Sequence, residues 1–208
     1  MEQVYLHGLG QTPASWEKVT SQPALAEHSL CPDLTQLLQG KETTYQNLYA
    51  AVSALCSRCD GPINLCGLSL GGVLALQYSI EHPQKVNSLV LIAPQYHMPK
   101  TLLRVQNLLF RFLPSSAFPQ GGLHKEQLIR LCATMGELDF RGSLSEITCP
   151  TLVLCGQRDT ANQKAARELA ALVKDAQLHI IPGAGHEVNL DAPEKLSELL
   201  CHFYGQTS

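Results

Sequence analysis

The stretch NLCGLSLGGVLALQYS, residues 64–79, passes from a short apolar run through a glycine-flanked serine into apolar residues at helical spacing. A serine at a helix start is ordinarily an N-cap. Ser69 sits in a stricter setting, because Gly67 and Gly71 lie two residues to either side of it, between one strand and one helix. Where strand and helix backbones meet at so sharp a turn, the flanking positions must be small and the central residue is forced toward strained backbone angles. The helix then points its unpaired N–H groups and positive dipole end at the serine oxygen, where negative charge develops in acyl transfer. A capping serine needs none of this, so the pattern reads as a nucleophile.

A serine hydroxyl is a poor nucleophile unless a histidine removes its proton and an acid fixes that histidine's tautomer. Of the eight histidines, His186 follows the strand QLHIIPG, residues 177–183, in the glycine-rich loop PGAGHEV, on the side of the sheet where α/β sites gather. Gly183 and Gly185 let that loop bend back over the sheet. The others have plainer readings: His28 and His82 close helices, His179 alternates within a strand, His97 and His124 lie in an insertion, and His202 sits in the last helix. For the acid, the chain order Ser, Asp, His favours Asp159, just beyond the strand PTLVLCG, residues 150–156. Asp159 also reads as an N-cap for the helix that follows, and the two roles are compatible. Asp33, Asp60, Asp139, Asp175 and Asp191 are less well placed.

Acyl transfer also needs donors for the oxyanion. One is expected from the backbone N–H of Leu70, after the nucleophile, and the second from Leu9 in the loop LHGLGQTPASW, residues 6–16, after the first strand. His7 is expected to brace that loop by hydrogen bonding.

Working outward, apolar strands alternate with helical patterns. The strands are QVYLHG, SLCPDL (residues 29–34), PINLCG and VNSLVLIAP, with helices over 15–28, 44–58 and 70–81, which predicts a parallel α/β sheet. The alternation lapses after Pro94 and resumes at PTLVLCG, with a helix at about 161–174, the strand QLHIIPG and a last helix opened by Pro193. The intervening residues, about 95–145, hold the apolar helical patterns TLLRVQNLLFRFLP (101–114) and LHKEQLIRLCATMGEL (123–138), and read as a short helical cap inserted in a single domain spanning 1–208. The first of these lacks the strongly basic face of a membrane-surface helix.

At 208 residues the chain is long enough for one substantial core. With 15 Lys and Arg against 18 Asp and Glu, the net charge of −3 offers no footprint for nucleic acid or an anionic membrane. No basic segment precedes an apolar run at the N-terminus and no apolar run reaches the ~20 residues needed to span a bilayer, so a cytoplasmic protein with no membrane span is expected. Of the eight cysteines, six (Cys31, Cys66, Cys132, Cys149, Cys155 and Cys201) lie in or beside apolar segments and read as buried thiols. Cys56 and Cys59 have ligand spacing but no second pair to complete a zinc site, so no metal and no cofactor is expected.

Four separated stretches, LHGLG, GLSLGG, PTLVLCGQRD and GAGHEVNLDAPEKL, resemble the α/β-hydrolase fold family in the right order, and EHPQKVNSLVLIAP and Trp16 are also similar to family sequences. The resemblance covers most of the chain. It is to small cap-bearing serine hydrolases such as carboxylesterases, enol-lactonases and carbon–carbon bond hydrolases. It implies a three-layer sandwich around a mostly parallel sheet of about six strands, with Ser69 as nucleophile, His186 as general base, Asp159 as its orienting acid, and Leu9 and Leu70 as oxyanion donors. Two features depart from the family pattern. The chain starts at the HG strand, so the N-terminal hairpin is not expected, and PDLTQLLQGKETT, residues 32–44, lacks the glycines of the usual D-x-P-G-x-G-x-S loop.

A serine at this position disfavours epoxide opening and halide displacement, which use a carboxylate there. Hydrolysis of a small ester or thioester through an acyl-enzyme leads. Leu102, Leu103, Leu108, Leu109, Phe110 and Phe112 suggest either an apolar lining for an acyl or aromatic substrate or ordinary packing within the cap. Two alternatives remain: a carbon–carbon bond hydrolase, in which Arg104 or Arg111 would hold a substrate carboxylate, and a ligand-binding signalling protein on the same fold.

Overall fold

The computed structural model describes residues 1–98 and 123–207. In chain order the elements are β1 (Gln3–Leu6), α1 (Glu17–Thr20), α2 (Pro23–Ala26), β2 (Ser29–Leu30), α3 (Tyr45–Cys56), β3 (Ile63–Leu68), α4 (Leu70–Glu81), β4 (Val86–Ile92), α5 (Lys125–Met135), β5 (Thr151–Gly156), α6 (Thr160–Leu172), β6 (Gln177–Ile181), α7 (Val188–Asp191) and α8 (Pro193–Thr207). The helix expected over 101–114, with Arg104, Arg111 and the apolar residues named within it, lies outside the described residues.

Six strands pair in the order β2-β1-β3-β4-β5-β6, every pair parallel. A parallel sheet is covered on both faces, which is why β3 and β5 are apolar along nearly their whole length and buried at every residue. Alternate side chains feed two cores. Leu65, Leu89, Leu91, Val153 and Cys155 pack with α3, α4 and α6, while Cys66, Val90, Ile92, Leu152 and Leu154 pack with Trp16, α1 and α8. At the edge, β6 exposes every second residue until Ile181.

Two expected elements are broken. The helix over 15–28 is interrupted because Pro23 has no N–H to donate and holds Gln22 in an extended conformation, ψ 129°. The strand expected over SLCPDL pairs only at Ser29 and Leu30. Pro32 has no amide for the ladder, and Asp33 then turns the chain by accepting hydrogen bonds from the N–H groups of Thr35 (2.8 Å) and Gln36 (3.1 Å). Among the described residues no helix is long and apolar enough to cross a membrane.

The fold positions one edge of the sheet by backbone contact. A Cβ on Gly67 would lie 2.2 Å from the Gly71 carbonyl oxygen, and one on Gly71 would lie 2.1 Å from that of Leu6, so α4 starts pressed against the ends of β1 and β3. Gly71→Ala is therefore expected to lower the unfolding free energy in urea by about 3 kcal/mol or more. Gly142→Ala, where an added Cβ meets nothing within 4 Å, is expected to change it by less than about 0.5 kcal/mol.

Candidate active site

Ser69 occupies the N-cap position of α4 yet makes no side-chain capping bond. Its backbone is strained, φ 52° and ψ −111°, a conformation that costs about 1–3 kcal/mol and is held by the surrounding contacts. The Ser69 N–H donates to Ile92 O (2.8 Å) and its carbonyl accepts from Val73 N (3.0 Å), so the residue is fixed between β4 and the first turn of α4. The side chain is half-buried at the carboxyl edge of the sheet. Leu70, the first residue of α4, carries one of the N–H groups that have no acceptor within the helix.

Asp159 and His186 are brought together by the loops that follow β5 and β6. The N–H groups of Gln157 and Arg158 donate to Ile181 O (2.9 Å) and Ala184 O (2.8 Å), and Gly183 N–H donates to Gln157 Oε1 (3.0 Å). The loops approach so closely that a Cβ on Gly156 would lie 2.0 Å from Gly185 O. Gly183 supplies the bend, with φ 72°, whereas Gly185 is constrained by the Asp191 carboxylate that accepts its N–H at 2.6 Å. In the resulting frame His186 Nδ1 donates to Asp159 Oδ2 at 2.7 Å, the Asp159 side chain being 6% exposed and that of His186 43%. With Nδ1 carrying the proton, Nε2 is the nitrogen able to accept one. Asp159 stands at the N-cap position of α6 but spends no side-chain bond on capping.

Burial pushes the Asp159 carboxyl up, but the hydrogen bonds from His186 and Asn162 outweigh it and hold it below its ordinary value. The hydrogen bond to Asp159 raises the His186 imidazole above its ordinary value, against the opposing effect of burial. Three of the other aspartates have other partners: Asp139 pairs with Arg141, Asp191 binds Gly185 N–H, and Asp33 holds the turn after β2.

His7 is 3% exposed. Leu34 N–H donates to its Nε2 (3.1 Å) and its Nδ1 donates to Gly8 O (2.9 Å), which fixes the neutral tautomer and ties the loop after β1 to the turn after β2. Burial lowers its pKa, with the bond to Gly8 opposing. Next to it lies a small cavity, partly open to solvent, bounded by Leu9, Gln11, Leu34, Leu48, Leu70 and Leu131 among others. Both expected oxyanion residues, Leu9 and Leu70, thus face one space.

Four polar residues of this edge carry no motif. Gln11 and Asn189 form a buried amide pair, Gln11 Nε2 donating to Asn189 Oδ1 and Asn189 Nδ2 to Gln11 Oε1, each at 3.2 Å. Gln11 also accepts from Gly8 N–H (3.1 Å) and donates to Glu187 (2.9 Å), so the loop after β1 is joined to the loop carrying His186. Asn162 contacts Asp159, and Gln95, just beyond β4, contacts Asn162. Among the described residues no group of three or more side chains is arranged to hold a metal ion.

A family model described as "Alpha/beta hydrolase family" matches residues 3–199. The chain is 25% identical over 225 residues to monoacylglycerol lipase abhd6-B of Xenopus laevis, covering 88% of this chain and 63% of the lipase. It is 24% identical over 245 residues to the pimeloyl-[acyl-carrier protein] methyl ester esterase of Edwardsiella ictaluri, covering 96% and 92%. Its fold superposes on a thermophilic esterase from Thermogutta terrifontis with a TM-score of 0.84 at 19% identity, over 100% of this chain and 90% of that one. The chain spans 47–63% of the length of the first curated relatives that it matches.

Because folded His7 resists protonation and the unfolded chain does not, its contribution to stability is complete above the ordinary 6.5 and is lost as pH falls below it. In urea unfolding the stability advantage of the wild type over His7→Gln is accordingly expected to narrow between pH 7.5 and pH 5.

Proposed function

Since the chain belongs to the alpha/beta hydrolase family, we propose that it is a serine hydrolase that cleaves a small ester or thioester through an acyl-enzyme, with Ser69, His186 and Asp159 as its catalytic residues. The observation that carries this reading is the 2.7 Å bond between His186 and Asp159 on the same sheet edge as Ser69, whose side chain is not engaged as a cap.

His186 Nε2 takes the Ser69 proton as Oγ attacks the substrate carbonyl carbon. Asp159 holds the imidazole in the Nδ1–H tautomer and stabilises the imidazolium that forms. The N–H groups of Leu9 and Leu70 receive the oxyanion, a task in which the loss of one donor typically costs about 10² to 10³ in turnover. The tetrahedral species collapses as His186 gives its proton to the leaving oxygen or sulfur. Water then repeats the sequence and frees the acid and Ser69. The apolar boundary that Leu34, Leu38, Leu48, Leu123 and Leu131 give the cavity beside Leu9 and Leu70 favours an uncharged acyl group over a charged one. The esterase and lipase relatives agree with that substrate class.

A fluorophosphonate is expected to modify Ser69, with labelling lost in Ser69→Ala and slowed at least about 10³-fold in His186→Ala. Modification at another residue, or undiminished labelling of His186→Ala, would overturn the proposal. His186 must be neutral to accept the proton, and pairing with Asp159 raises its pKa, so kcat/KM on an activated aryl ester is expected to fall on the acid side with a midpoint above 6.5.

A further inference from the structure

Asn162 lies on the first turn of α6, three residues after Asp159, and so on the same face. Its Nδ2 stands 2.9 Å from Asp159 Oδ1 and 2.9 Å from Oδ2. An amide oxygen in that place would oppose its lone pairs to both oxygens of an ionised carboxylate, so the NH2 group must face Asp159. Oδ1 is thereby turned to Gln95, whose Nε2 donates to it at 2.6 Å. The same Nδ2 is 3.2 Å from His186 Nδ1. Nδ1 already gives its proton to Asp159, so this second contact brings two donors together and places the positive end of the amide dipole against the ring.

We propose that Asn162 is a positioning residue for the Asp159–His186 pair, holding the carboxylate in the orientation that meets His186 and sharing its charge, with Gln95 fixing the direction of the amide. The geometry stands independently of function, but its catalytic consequence rests on the serine-hydrolase reading. Both actions of the amide oppose protonation of the ring. Donation to the carboxylate weakens its pull on an imidazolium, and the nearby NH2 dipole repels one. The charged groups acting on the ring are Asp159, from the end of β5, and Glu187 on its own loop, and each raises its pKa. Asn162 therefore keeps more of His186 in the neutral form that can act as a base near neutrality.

The test is a titration of His186 by NMR in the full chain labelled with ¹⁵N-histidine, with the signal assigned by its loss in His186→Gln, in parallel with kcat/KM for p-nitrophenyl acetate against pH. In Asn162→Leu, His186 is expected to titrate at higher pH than in the wild type, with the acid limb of kcat/KM displaced in the same direction. Activity at pH 7 is expected to fall about 10-fold to 100-fold, the range for losing a hydrogen bond to a charged group. Gln95→Leu is expected to move both readouts the same way by less, and it carries the test if Asn162→Leu does not fold. An unchanged His186 titration in Asn162→Leu, with a loss of activity equal at all pH values, would overturn the proposal. If the wild type is not labelled at Ser69 by a fluorophosphonate while the His186 titration still moves, the hydrolase reading fails and the positioning role stands.

Discussion

The site depends on backbone pressed against backbone at the carboxyl edge of the sheet. Gly71 lies under the carbonyl of Leu6, Gly67 under that of Gly71, and Gly156 under that of Gly185. Each contact removes the space a side chain would occupy. Together they set where α4 starts, how Ser69 is strained and how near the loops after β5 and β6 approach. Because packed backbones deform little, the polar groups of this edge are placed by the sheet rather than by their own flexible side chains.

Polar bonds then join loops that share no sequence neighbourhood. The Gln11–Asn189 pair spans 178 residues and uses both amide groups on each side, with Ser15 O, Gly8 N–H and Glu187 taking much of the remaining capacity. A buried amide pair satisfied in this way fixes geometry, since moving either loop alone strands donors and acceptors out of water at about 1–3 kcal/mol each. The loop bearing Leu9 and the loop bearing His186 are thereby tied to each other.

Those long pairings mark the boundary of what the sequence discloses. α4 is legible to the residue, 70–81, because a glycine-flanked turn and an apolar helical period both act locally. The strands are legible from their apolar runs, and the placing of His186 and Asp159 after the last two strands follows from chain order. Gln11, Asn189, Gln95 and Asn162 have no period and no motif. Their partners are chosen by the crossing of loops, and only the i, i+3 spacing of Asp159 and Asn162 offered a local sign. The helix over 15–28 and the strand over 29–34 break at Pro23 and Pro32 despite their apolar periodicity. A missing N–H is decisive where the ladder or helix needs a donor.

Two imidazoles at this edge meet opposite environments. His7 is enclosed and neutral, accepting an amide N–H, so its support is complete at neutral and alkaline pH. His186 faces a carboxylate and its pKa is raised, so the extra stability of a charged pair is full below 6.5 and disappears as pH rises through the folded value. In the proposed mechanism His186 acts only in its neutral form, which is the range where the charged pair no longer adds stability. Across that range the loops are held by bonds that do not need a charged His186: the His7 bonds to Leu34 and Gly8, the Gln11–Asn189 amides, the Asp191 bond to Gly185 and the glycine contacts. A frame that does not rely on the charge of His186 lets that imidazole change protonation state, as the proposed mechanism requires, without losing these bonds.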